Sequence, residues 1–327
     1  MTSSERHIGV VVIGRNEGLR LKTCLESVLD VGNVVYVDSG STDDSINIAK
    51  ELGVDVVNLD ITIPFTAARA RNEGFQRLSE LKPDIDFVQF VDGDCEVMKG
   101  WLDRAAAYLE QHNDVAVVCG RRRERYPRAS VYNMLCDIEW NTPTGEAKAC
   151  GGDALMRANT FKQVNGYNPD VIAGEEPELC VRIRQHKWRI WRLDEEMTLH
   201  DANISLFSEW WKRNVRSGYA FALGSHMHGE NPEKHWVSEV RRGRIWGAYI
   251  PLFIIMIAIM EPLSIAAVFV YPLQVARIAM NNSNNVENNW SYAFFLTLGK
   301  FPEMQGQLKF YLNRLLNTRS NIIEYKK

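Results

Sequence analysis

Two carboxylates one residue apart, Asp92 and Asp94, flank Gly93 in the stretch DFVQFVDGDCEV, Asp86 to Val97. Phe87, Val88, Phe90 and Val91 make the stretch read as a buried strand, which places the acidic pair at its carboxyl end. In an open α/β sheet, ligands gather at that edge. Two hard oxygen ligands on a tight turn suit Mg²⁺ or Mn²⁺, which keep positions open for nucleotide phosphates. Gly93 would let a diphosphate come close. Most Asp-x-Asp triplets are surface turns, so the pair needs support from the rest of the chain.

A second concentration of acids, Glu175, Glu176 and Glu178, follows Ala173-Gly174. Pro177 suits the first turn of a helix and acids suit its N-terminus, which is a purely structural account. A general base is the competing one. His200, in DEEMTLHD, stands alone, and such a histidine is more often structural; beside a divalent cation and a diphosphate, a neutral imidazole is a reasonable neighbour. Arg69 and Arg71, in PFTAARARNE, are either solvated helix charges or guanidiniums aimed at a pyrophosphate. Asp38 either ends a strand or accepts a hydrogen bond from a base or ribose. The basic loop GRRRERYP, Gly120 to Pro127, is either a solvated face or a grip on an anionic acceptor. Gly151 and Gly152, in the strand-like CGGDALMR, allow a ligand or another backbone to approach.

The elements that position these residues alternate. Ile8 to Ile13 is a β-branched run ending at Gly14, followed by the polar turn Arg15, Asn16, Glu17 and a helical pattern through Leu29. Strands over Val34 to Val37, Val54 to Leu59, Phe87 to Val91 and Val115 to Cys119 are separated by helices, including Ser45 to Leu52 and Trp101 to Leu109. Such alternation predicts an α/β fold with a mainly parallel sheet covered by helices. It breaks after Cys119. Further on come a strand over Trp188 to Leu193 and a helix over Ser208 to Leu223, whose Trp210 and Trp211 either pack on a core or lie at a membrane interface.

With 327 residues the chain can bury a full core, and 38 Lys and Arg nearly balance 41 Asp and Glu. No strong field announces nucleic acid, so none is expected as a partner. Six cysteines (24, 95, 119, 136, 150, 180) show no Cys-x-x-Cys spacing and read as reduced, buried thiols of a cytosolic compartment. The N-terminus lacks the apolar stretch of a signal peptide. From Ile245 to Ala276 the only charged residue is Glu261, with Arg241, Arg242 and Arg244 before it and Arg277 after it. A bilayer span takes about 20 residues. Glu261 would cost roughly 3 kcal/mol at mid-membrane, and Pro251, Pro262 and Pro272 interrupt the stretch. A re-entrant helical hairpin therefore fits better than a single crossing, with both ends on the cytosolic side. Asn281 to Asn289 reads as a polar linker, and Ser291 to Leu316 as a further surface helix.

In order along the chain, VVIGRNE, VDSGSTDDS, ARARNEG, VDGD, CGGDALMR and GEEPELCVR together resemble the family-2 inverting glycosyltransferases of the GT-A fold, over about Ile8 to Arg216. The resemblance implies that Asn16, Glu17 and Asp38 line the nucleoside pocket and that Arg71 lies by the nucleotide. Asp92 and Asp94 would address the ribose and a diphosphate-bound Mn²⁺ or Mg²⁺, with His200 at the metal. Gly14, Gly93, Gly152, Asp153, Arg213 and Arg216 would complete the donor site, Gly151 to Asp153 facing the sugar. Glu176 falls in the column of the family's aspartate base, and Glu175 shares the catalytic expectation. The Gln-x-x-Arg-Trp motif of processive synthases is absent, which favours transfer of one sugar.

The expected donor is a nucleotide sugar, UDP-linked by preference, and the expected acceptor a lipid-linked or other saccharide at the cytoplasmic face of a membrane, held there through residues 245–276. Membrane lipids are then partners. Domains are expected at 1–240, 241–280 and 281–327. A nucleotidyltransferase would want a glycine-rich triphosphate loop, and RNEGLRLK is a poor one. A silent scaffold would not need the carboxylates together.

Overall fold

Ile8–Gly14 (β1) begins with six consecutive buried residues rather than an alternation, because it is covered on both faces. The computed structural model describes residues 7–63, 65–281 and 288–318. Leu19–Glu26 (α1), Val34–Asp38 (β2), Ser45–Glu51 (α2), Asp55–Asn58 (β3), Ala67–Leu81 (α3) and Phe87–Asp92 (β4) follow. They give the expected parallel order β3-β2-β1-β4. Pro64, at the start of the expected cationic turn, lies outside the described residues.

Beyond β4 the sheet is mixed. Cys95–Val97 (β5), Trp101–Gln111 (α4), Val115–Glu124 (β6), Val131–Glu139 (α5), Gly145–Glu146 (β7), Ala154–Arg157 (β8), Ala158–Gln163 (α6), Glu175–Gln185 (α7) and Arg189–His200 (β9) continue it. The full order is β3-β2-β1-β4-β8-β6-β9-β5, with β7 beside β9. β8 is antiparallel to both β4 and β6, while β6 and β9 are parallel. The parallel prediction thus holds for the first half and gives way where β8 inserts. Because β8 runs backwards, the residues just before it arrive at the edge where β1, β2, β4, β6 and β9 end.

One expected loop is strand. β6 runs on through Glu124, so Arg121, Arg122, Arg123 and Glu124 pair with β9 across register shifts and are not a free basic loop. Sheet pairing claims the backbone there although the side chains are charged.

Contacts divide the chain into two units, Met1–Pro127 with Glu139–Asn203, and Arg128–Ile138 with Ile204–Lys327. The division falls near residue 203 and not at 240. The cause is Phe207–His228 (α8), which packs within the second unit. After it come Val237–Arg244 (α9), Ile250–Met260 (α10), Val270–Asn281 (α11), Asn289–Leu298 (α12) and Lys300–Leu315 (α13). α8 and α13 cross at glycines: a Cβ on Gly218 would stand 1.9 Å from Glu303 O, and one on Gly306 2.0 Å from Val215 O. Most of the expected linker, 282–287, lies outside the described residues.

Val237–Met260 and Pro262–Asn281 are each long and apolar enough to cross a membrane, and little of either is buried. A π-helical turn over Ile245–Tyr249 precedes Pro251, which has no N–H to continue the α-helical ladder. Glu261 is extended and breaks the helix between the two segments. The second segment returns along the first, since Tyr271 OH donates to Trp246 O at 2.7 Å.

Candidate active site

The carboxyl edge of the first unit gathers a chain of ion pairs. Asp92 ends β4, and its Oδ1 and Oδ2 accept from Arg71 Nη2 at 2.7 Å and Arg122 Nη2 at 2.9 Å. Arg71, from α3, also donates through Nη1 to Glu175 Oε1 at 2.8 Å, and its guanidinium lies over the Tyr167 ring. Arg122 Nε approaches Asp153 Oδ2 at 3.2 Å. Burial works to raise the Asp92 carboxyl, but Arg71 and then Arg122 outweigh it and hold it below its ordinary value.

Asp94 faces a different partner. Its Oδ2 lies 3.3 Å from His200 Nε2, and both residues are buried. β9 brings His200 there, because Cys95 and His200 are register partners across β5 and β9. His200 Nδ1 points to Glu124 Oε2 at 3.7 Å and the ring meets Trp140 edge to face. Nδ1 has no hydrogen-bond partner among the described residues. Glu124 accepts from Tyr126 N and Ala202 N, so it is a fixed carboxylate behind the imidazole. Carboxylates commonly orient metal-binding histidines in this way. Cys95 completes the cluster, but its Sγ accepts from Arg122 Nη2 at 3.1 Å, and that guanidinium disfavours a metal-bound sulfur there. An oxygen and an imidazole nitrogen remain, a donor set that fits Mn²⁺ or Mg²⁺.

The adjacent acids of α7 diverge, as consecutive helical residues must. Glu175 turns to Arg71. Glu176, 4% exposed, turns inward, and its Oε1 accepts from Cys150 N at 2.6 Å, Cys150 Sγ at 2.9 Å and Cys180 Sγ at 2.9 Å. All three bonds fall on Oε1, and none joins Oε2 to another described residue. Burial pushes the Glu176 carboxyl up, while the two cysteines partly oppose it. Glu178 is buried and held by Arg182 at 2.8 Å.

Several expected ligand contacts are corrected. Asp153 is fully buried, accepts from Asp92 N and Thr198 Oγ1, and so supports Asp92 from behind instead of facing a sugar. Asp38 is 1% exposed, its carboxylate taken by Tyr36 OH, Gly40 N and Ser41 N. It shapes the turn and offers no open acceptor to a nucleoside. Gly93 gives no room to a diphosphate, since a Cβ there would meet Ile13 O at 3.1 Å and Glu17 Cγ at 3.3 Å. Gly152 does front the site: its Cβ would meet Asp92 Oδ2 at 2.9 Å and Arg71 Nη2 at 3.1 Å. Gly14 lies against Glu17 and Tyr36.

Asn16 adopts a left-handed φ of 57° and ties the first two strand ends together, its N donating to Ser41 Oγ and its Oδ1 accepting from Thr42 N. Glu17 is bound to Arg20 and, through its backbone, to Ser45. Arg69 pins carbonyls of the Asp60 to Ile63 turn and pairs with Glu73, so it is structural. Arg213 and Arg216 lie on α8 in the second unit. Arg122 and Glu124 were not singled out by sequence. Strand alternation carried past Cys119 would have put them on one face.

Residues 9–156 match the model of glycosyl transferase family 2. The chain is similar to glycosyltransferase AglE of Haloferax volcanii, 29% identical over 187 residues, covering 54% of this chain and only 57% of that protein. Mannosyltransferase PcManGT of Pyrobaculum calidifontis, solved with GDP-Man and Mn²⁺, superposes with a TM-score of 0.63 at 16% identity, over 94% of this chain and 88% of that one. Glucosyl-3-phosphoglycerate synthase of Mycobacterium tuberculosis, solved with Mn²⁺ and UDP, gives 0.50 at 17% identity, over 69% of this chain and 81% of the other. Residues 9–156 are therefore similar to glycosyl transferase family 2, and the fold is that of the GT-A type.

Proposed function

We propose that the protein is an inverting glycosyltransferase that moves one sugar from a nucleoside diphosphate sugar to a hydroxyl of a lipid-linked acceptor at a membrane surface. The observation that carries this reading is the convergence of Asp92, Asp94, His200, Arg71, Glu175 and Glu176 at one sheet edge from four separate elements and the turn after β4. Mn²⁺ in PcManGT and in the mycobacterial synthase supports a divalent cation here.

In this reading Asp94 and His200 hold the cation, with Trp140 packed against the ring. When bound, the cation offsets negative charge growing on the departing diphosphate. Arg71 and Arg122 fix the Asp92 carboxylate to receive the ribose, and Glu175 fixes Arg71. Gly152 leaves the floor open beside them. Glu176, anchored by Oε1, takes the acceptor's proton on Oε2 as the hydroxyl attacks C1 from the face opposite the leaving group. Its raised pKa makes it a stronger base than an ordinary carboxylate. Asn16 and Asp38 shape the nucleoside end by holding the turns after β1 and β2. The apolar hairpin of the second unit, flanked by Arg241, Arg242, Arg244 and Arg277, supports a lipid-side acceptor and anchorage from the cytoplasmic face.

The test is transfer from a panel of UDP- and GDP-linked sugars to extracted membrane lipids with Mn²⁺, using the full chain in detergent. Release of a nucleoside diphosphate and a product of inverted anomeric configuration is expected. Release of pyrophosphate would overturn it in favour of nucleotidyl transfer.

A further inference from the structure

Behind Glu176 lies a second set of metal-ligating atoms. Cys150 Sγ and Cys180 Sγ stand 3.6 Å apart, and each is 2.9 Å from Glu176 Oε1. Cys180 is four residues beyond Glu176, hence on the same face of α7, and Cys150 arrives from the segment entering β8. Two sulfurs on one tetrahedral Zn²⁺, each at about 2.3 Å, lie about 3.8 Å apart. The thiol pair is already near that separation, and the carboxylate oxygen needs to retreat by about 0.6 Å. Cys119 of β6 borders the same pocket: burial first, then the Glu176 carboxylate and Cys180, push its thiol up. Gly151, next to Cys150, is exposed.

The donor types separate this cluster from the Asp94 and His200 pair. Oxygen and one imidazole favour Mn²⁺ or Mg²⁺, whereas two sulfurs favour a thiophilic ion. We propose that Cys150, Cys180 and Glu176 form a binding site for a thiophilic divalent cation of the Zn²⁺ type, and that filling it silences sugar transfer by taking the Glu176 carboxylate. Binding exchanges two S–H bonds for two metal–sulfur bonds and releases two protons to solvent, with no oxidant or reductant involved. The silencing half rests on Glu176 being the base; the site itself does not.

Co²⁺ added alone to the purified full chain, with a phosphine reductant, tests the site. A thiolate-to-cobalt charge-transfer band saturating at one equivalent is expected in the native protein and in Asp94→Ala, and should vanish in Cys180→Ala. Cys180→Ser, which keeps a donor of similar size, guards against misfolding and should also abolish it. No band, or a band that survives both Cys180 variants, overturns the site. For the silencing half, equimolar Zn²⁺ should reduce transfer at least tenfold in excess Mn²⁺, and Cys180→Ser should relieve that inhibition. A full cobalt band with transfer undiminished by Zn²⁺ would keep the site and overturn Glu176 as base.

Discussion

Glu175 and Glu176 show how far one residue's difference reaches. Glu175 completes the Arg71 and Asp92 ion-pair chain, whereas Glu176 faces thiols. Glu176→Gln keeps size and hydrogen bonding but cannot take a proton, so turnover should fall about 10²-fold or more with donor affinity little changed. Glu175→Gln should instead raise the donor KM, since it loosens Arg71. Steady-state kinetics on the two variants side by side distinguishes them, and a fully active Glu176→Gln would move the base elsewhere.

The raised Glu176 pKa sets the pH behaviour too. Catalysis needs the carboxylate, so the acidic limb of kcat should lie above that of an ordinary glutamate. The Cys180 thiol lowers this pKa, so Cys180→Ala should shift the limb to higher pH. For stability the sign is reversed. Between the ordinary and the raised value the folded state keeps a proton that the unfolded state has lost, so stability falls as pH rises through that window. Glu176→Gln should remove this slope in urea titrations, and an unchanged slope would contradict the burial argument.

Arg122 supports two carboxylates, one of them wholly buried Asp153. Arg122→Met leaves Asp153 without its cation and should cost about 3 to 5 kcal/mol of stability, measured by urea unfolding. The residue was hidden in sequence because three arginines in a row read as a solvated face. The placement of Asp92 at a strand end, with Asp94 on the turn after it, was legible from the apolar run Phe87 to Val91. Asp38 and Asp153 were assigned to ligands because a sequence names a carboxylate without saying which backbone or hydroxyl donors will claim it.

At the scale of elements, the first half of the sheet was readable from β-branched runs broken by helices. The second half was not, because the reversal of β8 depends on which gap it fills and leaves no mark in its own four residues. The crossing of α8 and α13 is another long-range fact. Gly218 and Gly306 let the two backbones touch, so Gly218→Ala must push them apart. We expect that substitution to lower the melting temperature of the full chain by several degrees, an overpacking cost of about 1 to 3 kcal/mol. Unchanged melting would mean that the helices meet elsewhere.

For the whole molecule, membrane insertion is where sequence and structure bear on each other most directly. Val237–Met260 is followed by a segment that returns along it, Tyr271 OH meeting Trp246 O. The two arms should therefore enter and leave on one side. All six native cysteines are buried. A single cysteine introduced at Glu239 or at Asn317 should thus label cleanly, and both should react from the same face of sealed vesicles. Opposite faces would mean a crossing.

The strand order also sets a schedule for synthesis. β9 lies between β6 and β5, so β5, which directly follows the Asp92 to Asp94 turn, has no sheet partner except β9 among the described residues. The turn is among the early parts made, yet it is secured only after His200 has emerged, more than a hundred residues later. Until then β6 presents an open edge and Asp94 lacks its imidazole. A ribosome paused before Arg189 would hold a nascent chain with most of its core and without His200, a half-built sheet for which holding chaperones have reason to compete.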